Sequence, residues 1–285
     1  MTLQNIAIIG LGLIGASLLR ALKSLPAERS SSLYIKGYDP GIPQDEREEL
    51  LHLGLDRFEE RKQELYDADL IILAAPAATN ITLLDEISRL APKSTLVTDV
   101  SSTKSQIARR ASELQLDFIG MHPMAGREQQ GYKASQDGLL HDRPLVLCCK
   151  PELCMDGRAA ELRSLLEAIG CRVFFMDPEE HDRMVASVSH LPQLLSTTLM
   201  NHCGKHIETA GPGFNAMTRL AGSPWVIWED IIATNQENIS TELKAFSREL
   251  ETLAEEIEQG NLEHLAKAFS SANRLRHELN TRTVQ

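Results

Sequence analysis

Residues 6–16, I-A-I-I-G-L-G-L-I-G-A, contain the pattern from which the fold of this chain is predicted. A short apolar run is followed at once by three glycines spaced G-x-G-x-x-G. In such a strand–turn–helix the first glycine allows the tight turn, the second lets the backbone approach a pyrophosphate, and the third lets helix and strand pack closely. The helix that follows presents free N–H groups to phosphate oxygens. The pattern predicts a dinucleotide site that includes Gly10, Gly12, Leu13, Ile14 and Gly15.

An acidic residue closes the next predicted strand. Asp39 lies 24 residues after Gly15, and no Arg or Lys follows it before Arg47. A carboxylate at this point accepts from the ribose hydroxyls of NAD and repels the 2′-phosphate of NADP. We therefore expect NAD, with NADP as the alternative cofactor; Asp39 could instead be a turn residue before Pro40. Three residues after later strands are assigned to the same cofactor site: Ala75, Pro76 and Ser101.

The first 177 residues alternate short apolar runs with helical patterns. Strands are predicted at 5–9, 33–38, 69–74, 95–100, 117–121, 145–149 and 172–176. Several runs are apolar at consecutive positions, which is typical of strands buried on both faces of a parallel sheet. Strand–helix repetition of this kind predicts an α/β fold, a doubly wound Rossmann-type domain over residues 1–177.

After Asp177-Pro178 the strand patterns stop. Residues 179–200 read as a helix, and Pro192 inside it is expected to cause a kink. Nearer the C-terminus, six apolar residues step by 4, 3, 4, 3 and 4, which is a heptad seam: Ile239, Leu243, Phe246, Leu250, Leu253 and Ile257. Such a seam packs within its own chain or against a second copy. We predict an all-helical domain over 178–285 that carries a homodimer interface.

Composition excludes several classes of protein. A length of 285 residues fits about two domains, and 29 basic against 40 acidic side chains disfavour nucleic acid as a partner. The longest apolar run, 70–78, is too short to span a membrane, and the N-terminus lacks the basic start of a signal peptide. Five cysteines without a C-x-x-C pair indicate reduced thiols and a cytoplasmic protein.

Clusters of polar residues that could take part in catalysis or binding follow the predicted strands or lie on the later helices. They read D-V-S-S-T-K at 99–104, G-M-H-P-M-A-G at 120–126, S-H-L-P-Q at 189–193 and G-F-N-A-M-T-R-L-A at 213–221. A histidine at a strand tip, His122, could act as a base near neutral pH, and Arg219 could clamp a carboxylate. Each cluster alone also has a structural explanation, since serines cap helices and surface arginines are common.

In order and spacing, these strings resemble the prephenate/arogenate dehydrogenase family of tyrosine biosynthesis over nearly the whole chain. The resemblance implies an oxidoreductase that decarboxylates prephenate to 4-hydroxyphenylpyruvate, or arogenate to tyrosine, with hydride transfer from C4 to NAD(P). It implies that His122 is the catalytic base and that Ser102 bridges it to the substrate hydroxyl. It also implies that Arg219 holds the ring carboxylate, with His190 and Trp228 at the substrate pocket.

The chain departs from the family strings at three positions. Arg127 stands where a threonine is common, Ala216 replaces an aspartate, and Gln193 replaces the second histidine of S-H-x-P-H. Arg127 and Gln193 are therefore also assigned to the substrate pocket, and the preference between prephenate and arogenate stays open. Because the substrate is an anion and the net charge is −11, Arg219, Arg127 and Lys104 are the cations expected to attract it.

Two other functions compete with this prediction. A β-hydroxyacid dehydrogenase-type enzyme has a similar architecture, but its catalytic lysine is missing, because residues 179–201 contain no Lys. A non-catalytic dinucleotide sensor would not need His122, Ser102 and Arg219 together. No metal is expected, because His202, Cys203 and His206 do not complete a four-ligand zinc spacing.

Overall fold

The structure is a computed structural model and describes residues 3–127 and 129–283. Its strands are β1 (Asn5–Ile9), β2 (Tyr34–Tyr38), β3 (Arg57–Phe58), β4 (Leu70–Leu73), β5 (Leu96–Asp99), β6 (Asp117–Pro123), β7 (Pro144–Cys148) and β8 (Arg172–Phe175). They form one sheet in the order β3-β2-β1-β4-β5-β6-β7-β8. Starting at β1, the chain moves first to one side and then to the other, which is the doubly wound arrangement.

The sheet is buried on both faces, as the consecutive apolar residues predict. Along β1, Ile6 and Ile8 belong to one apolar cluster, and Ala7 and Ile9 belong to the cluster on the other face. Alternate strand residues point to opposite faces, so each face is covered by its own helix layer. The helices between the strands are α1 (Leu13–Lys23), α2 (Ala27–Ser30), α3 (Arg47–His52), α4 (Lys62–Tyr66), α5 (Ala77–Leu90), α6 (Ser105–Glu113) and α7 (Gly157–Ala168).

Two details of the sheet differ from the sequence prediction. β7 runs antiparallel to β6, with His122 opposite Val146, whereas the buried runs of the sequence predict a parallel sheet. A parallel pair needs a long crossover, usually a helix, whereas the described part of the segment between β6 and β7 contains only one short helical turn, Tyr132–Ala134. β3 has only two residues, too few for a periodic signal.

Beyond the sheet, the described chain is helical. The elements are α8 (Pro178–Val185), α9 (Leu191–Cys203), α10 (Pro212–Thr218), α11 (Trp225–Thr234), α12 (Gln236–Glu258) and α13 (Leu262–Thr283). A π-helical turn, Ala186–His190, joins α8 to α9 directly before Pro192. Proline lacks the N–H that continues an α-helix, and the wider π turn accommodates that loss. The expected irregularity is therefore a π-bulge just before Pro192.

The described chain divides into two compact units between Gln236 and Glu237. The first contains the sheet and the helices up to α11, and the second contains α12 and α13. The heptad seam lies on α12, where Ile239 is buried but Leu250 and Ile257 are 49% and 59% exposed. The boundary after residue 177 coincides with the change from strands to helices and stays a prediction. None of the described helices is both long and apolar enough to cross a bilayer.

Candidate active site

The glycine turn has the geometry that its spacing predicts. Gly10 has φ +95°, and a Cβ there would overlap the backbone of Ala74, so a side chain is excluded on two grounds. A Cβ at Gly15 would overlap the carbonyl oxygen of Gly10. At Gly12, in contrast, a Cβ would meet nothing within 4 Å in the described structure. The turn is thus closed on the protein side and open at Gly12, which fits the close approach of a pyrophosphate.

Asp39 is tied to this turn. Its Oδ2 accepts from the backbone N–H of Leu11 at 2.8 Å, and its Oδ1 accepts from that of Gly41 at 2.8 Å. The carboxylate is half-buried. Asp39 therefore stabilises the backbone of two turns, as a turn residue would. It also lies beside the glycine turn, where each carboxylate oxygen keeps a lone pair for a ligand hydroxyl.

The remaining predicted cofactor residues follow β4 and β5. Ala75 is half-buried and Pro76, which precedes α5, is exposed. Ser101 is buried, and its hydroxyl accepts from Asn80 Nδ2 at 2.9 Å. Its backbone N–H donates to Asp99 Oδ2 at 3.0 Å. The Ser101 hydroxyl is therefore engaged inside the protein.

A cleft of about 900 Å³ opens at the carboxyl ends of the strands. It brings together the glycine turn, the segment after β6 and the helical segment around α10 and α11. The predicted site residues that line it are Gly12, Leu13, Ile14, Arg127, Gln193, Arg219 and Trp228. His122, Ser102 and His190 are not among the lining residues; the lining reaches Val100 and Ala125, two and three residues from Ser102 and His122.

His122 lies at the end of β6 in a chain of hydrogen bonds. Its Nδ1 is 2.8 Å from Nε2 of His181, and Nδ1 of His181 is 2.9 Å from Oδ1 of Asp182. Both partners belong to α8 and are buried. Asp182 also accepts from the backbone N–H groups of Lys104 and Ser105, at 2.7 and 2.8 Å. The carboxylate therefore anchors the histidine pair to the start of α6.

The negative charge of Asp182 determines which ring nitrogens of His181 and His122 carry a proton. Burial alone would raise the pKa of Asp182, but hydrogen bonds from His181, Ser105 and Lys104 outweigh it and keep the pKa below its usual 3.8. The ionised carboxylate can only accept, so Nδ1 of His181 carries its proton and Nε2 is an acceptor. His122 then donates from Nδ1, which leaves its own Nε2 with a lone pair.

His122 is kept neutral by its surroundings. Burial is the largest cause that lowers its pKa well below 6.5, and His181, Lys104 and His190 lower it further. Protonation would place a positive charge in a desolvated site that already contains the Lys104 ammonium. The arrangement therefore presents a neutral imidazole, which is the form that a general base requires.

Lys104, which the sequence predicts to attract the anionic substrate, is instead buried and paired inside the protein. Its side chain is fully buried and forms an ion pair with Asp99, which is also fully buried. Asp99 accepts in addition from the backbone N–H groups of Ser101 and Met121, at 3.0 and 3.4 Å. The pair thus fastens the loop that carries Ser102 to the strand that carries His122.

His190 is buried in the π-helical turn. Asn235 donates from Nδ2 to the carbonyl oxygen of Asp182 at 2.8 Å, and the same nitrogen is 3.3 Å from Nδ1 of His190. Nδ1 is therefore an acceptor and Nε2 carries the proton. Burial lowers the pKa of His190 to about 4. The ring meets Trp228 edge-on, with centroids 5.8 Å apart.

Gln193 is held in a fixed orientation. Its Nε2 donates to the carbonyl oxygen of Leu220 at 2.7 Å, and its Oε1 accepts from the Ser223 hydroxyl at 3.2 Å. Both partners lie in or beside the short turn Arg219–Gly222. Gln193 therefore lines the cleft and also holds the turn that contains Arg219 in place.

Sequence reasoning missed His181, Asp182 and Asn235. A signal for His181 existed, because it stands four residues before Val185 on the apolar side of a predicted helix, and a histidine there is buried. Nothing in the sequence indicated that this face would meet His122. Within residues 3–127 and 129–283, no group of three His, Cys, Asp or Glu side chains is arranged to hold a metal ion; the expectation of no metal stays a prediction.

Two sequence profiles match consecutive parts of the chain. The profile "Prephenate dehydrogenase, nucleotide-binding domain" matches residues 25–175, and "Prephenate dehydrogenase, dimerization domain" matches residues 177–271. The chain belongs to the prephenate dehydrogenase family. The resemblance found in the sequence strings is confirmed, and so are the fold class, the oxidoreductase class and the nucleotide cofactor.

Individual members of the family cover nearly the whole chain. The prephenate dehydrogenase of Lactococcus lactis subsp. cremoris is 30% identical over 96% of this chain and 77% of its own length. The crystal structure of Aquifex aeolicus prephenate dehydrogenase in complex with hydroxyphenyl propionate and NAD⁺ is 26% identical, with a TM-score of 0.86 over 98% of this chain and 99% of its own. Synechocystis arogenate dehydrogenase is 28% identical, with a TM-score of 0.82 over 96% and 99%.

Proposed function

We propose that this chain catalyses the NAD-dependent oxidative decarboxylation of prephenate or arogenate. The observation that carries the proposal is the neutral His122, oriented by His181 and Asp182, near a cleft lined by both the glycine turn and Arg219. Members of the same family that share this fold include a prephenate dehydrogenase in complex with NAD⁺ and an arogenate dehydrogenase. The β-hydroxyacid dehydrogenase alternative lacks its lysine.

The residues that would hold NAD are the glycine turn and Asp39, because Gly12 faces open space and Asp39 keeps free lone pairs. Bound there, NAD would supply the acceptor for the hydride from C4 of the substrate. His122 takes the proton of the C4 hydroxyl at Nε2, the nitrogen that the His181–Asp182 chain leaves unprotonated. Loss of the ring carboxylate as CO₂ then makes the ring aromatic. Ser102, half-exposed on the loop after β5, bridges the imidazole and the hydroxyl.

Arg219 would hold the ring carboxylate by a charge-assisted, bidentate pair. Arg127 adds a second cation to the cleft, near the substrate side chain, and Trp228 supplies an apolar wall. His190 contributes as a neutral N–H donor, since its Nδ1 already faces Asn235. Gln193 acts on both the side chain of the substrate and the turn that carries Arg219.

Lys104 and Asp99 act as positioning residues. Their buried ion pair joins the loop of Ser102 to the strand of His122. The ammonium group also helps to lower the pKa of His122. Removing one partner of a buried pair leaves an uncompensated charge, so both are needed for an intact site.

Steady-state kinetics with both substrates and both cofactors test the proposed function. Reduction of the nicotinamide is followed by near-ultraviolet absorbance, and the released CO₂ is trapped and counted. We expect turnover of at least one of prephenate and arogenate with NAD, with one CO₂ for each reduced cofactor. Turnover of β-hydroxy acids alone, or cofactor binding without turnover, would overturn the proposal.

The first prediction concerns the choice of cofactor. Asp39→Ser should lower the preference for NAD over NADP, because a ribose acceptor is lost together with the charge that repels the 2′-phosphate. The measurement is kcat/KM for each cofactor in the wild type and the variant. Asp45→Ser removes a carboxylate from the exposed turn after β2 and should leave the ratio unchanged. A wild-type enzyme that prefers NADP would show that Asp39 has another role.

The second prediction concerns assembly. Leu250 and Ile257 on α12, and Leu262 and Phe269 at and beyond the start of α13, are 49% to 75% exposed. We propose that a second copy of the chain covers this surface, so the protein should sediment as a dimer at micromolar concentration. Leu250→Glu with Ile257→Glu should shift it toward monomer, while Ser247→Glu on the same helix should not. A monomeric wild type would contradict the prediction. The cytoplasmic location also stays a prediction.

A further inference from the structure

Two cysteines are in contact outside the proposed active site. Cys149 follows β7 directly, and Cys154 ends the short helical turn Pro151–Cys154. Their Sγ atoms are 3.2 Å apart. The proposed reaction uses neither thiol, and the spacing C-x-x-x-x-C does not by itself predict a site. Thiols this close form a candidate dithiol site.

The two sulfurs differ in accessibility. Cys154 is 2% exposed and belongs to the apolar core, whereas Cys149 is half-buried. The turn between them is at the surface, since Leu153 and Met155 are 60% and 71% exposed. A disulfide has an S–S length of about 2.05 Å, so the sulfurs must approach by about 1 Å. Rotation of side chains in a surface turn supplies such a movement.

We propose that Cys149 and Cys154 form a reversible intrachain disulfide by exchange with a low-molecular-weight disulfide such as glutathione disulfide. The accessible Cys149 thiolate attacks one sulfur of that disulfide and expels one thiolate. The Cys154 thiolate then attacks the Cys149 sulfur, breaks the mixed disulfide and expels the second thiolate. The two protein thiols lose two electrons and two protons, and the external disulfide is reduced to two thiols.

The local environment makes the exchange slow. Burial raises the pKa of both the Cys149 and the Cys154 thiols above their usual range, although the hydrogen bond with Cys149 and then the Arg163 guanidinium on α7 oppose this for Cys154. Because the thiolate is the reacting form, the rate should rise about tenfold for each pH unit below that pKa. Cys149 and Cys154 therefore stay reduced unless a disulfide such as glutathione disulfide is present.

The disulfide is expected to leave catalysis unchanged. In the antiparallel pair of β6 and β7, His122 lies opposite Val146 and Gly120 lies opposite Cys148. The chain therefore runs away from His122 as it reaches Cys149. This separation makes the proposal independent of the proposed enzymatic function, because its test reads chemistry at the sulfurs.

The test uses the full-length protein incubated with glutathione disulfide and then treated with N-ethylmaleimide. We expect an intact mass lower by two hydrogens before alkylation, and two fewer alkyl groups after it. Cleavage after Glu152 splits the turn, so the fragments carrying Cys149 and Cys154 stay joined only through the disulfide. Dithiothreitol should separate them, and the yield should rise with pH.

Matched variants identify the sulfurs. Cys149→Ser should abolish the linked fragments, and Cys154→Ser should stop the reaction at a glutathione adduct on Cys149. Cys203→Ser, which removes a half-buried thiol on α9, should have no effect. The proposal is overturned if the unmutated protein gives only a glutathione adduct, a disulfide between two chains, or a link that involves Cys148 or Cys171. These results come from the wild type and do not depend on whether a variant folds.

Discussion

Replacing His122 by Asn should lower kcat by about 10²–10⁴-fold, the usual contribution of a general base, while NAD still binds. Asn keeps a polar side chain of similar size, but its amide cannot take up the C4 hydroxyl proton at a pH where imidazole can. The glycine turn lies on β1 and α1 and makes none of the hydrogen bonds of His122. The measurements are steady-state turnover and NAD binding by titration. Activity within twofold of the wild type would show that another group is the base.

The same measurements on His181 variants can separate the proposed base, His122, from the residue that orients it. His181→Gln can place an amide oxygen near the position of Nε2 and still accept from Nδ1 of His122. His181→Asn is too short to do so, although it can still reach Asp182. We expect His181→Asn to lower kcat more than His181→Gln, with little change in KM for NAD. Equal losses in both variants would indicate that His181 only fills space.

The pH profile gives an independent readout of this arrangement. The proposed reaction needs neutral His122, so kcat/KM should fall as the pH drops through the pKa of this group. Burial, His181, Lys104 and His190 all lower that pKa, so the acid limb should lie well below pH 6.5 in the wild type. Removing the imidazole of His181 takes away one of these causes, and the limb of His181→Asn should move upward. A limb at or above pH 6.5 in the wild type would contradict the assignment.

Arg219→Ala should raise KM for the substrate by about 30- to 5,000-fold, which corresponds to the roughly 2–5 kcal/mol lost when one partner of a desolvated charge pair is removed. Arg219→Lys should raise it less, because lysine keeps the charge but not the planar fork. The carboxylate leaves only after hydride transfer, so the clamp acts equally in the ground and transition states. KM should therefore change more than kcat, and KM for NAD should change little.

Arg127 provides the matched control for this clamp. Both arginines are exposed in the chain and line the same cleft, but only Arg219 stands in the family string. Arg127→Ala should affect substrate affinity less than Arg219→Ala. If Arg127→Ala destroyed binding while Arg219→Ala left it intact, the two residues would have exchanged roles. The departure at position 127 would then explain the choice between prephenate and arogenate.

Local patterns in the sequence were sufficient for the fold class and the family. The glycine turn, the buried strands and the heptad seam each depend on residues that are close together in the chain, and the structure contains all three. The buried runs predicted a parallel sheet and gave no sign that β7 runs antiparallel to β6, because burial on both faces does not encode strand direction. The kink at Pro192 was expected, but its form, a π-helical turn that ends at His190, depends on packing around that helix.

Sequence patterns alone were enough to predict a dinucleotide-binding sheet followed by helices, and a resemblance to a family whose strings include His122, Ser102 and Arg219. Only the folded chain shows which groups hold His122 and which of its ring nitrogens carries the proton. His181 is 59 residues away from His122 along the chain. Only folding brings the two rings into contact, and this contact places the proton of His122 on Nδ1. Folding also buried Lys104 against Asp99. Hydrogen bonds, burial and pKa depend on which distant segments meet, and no local pattern contains that information.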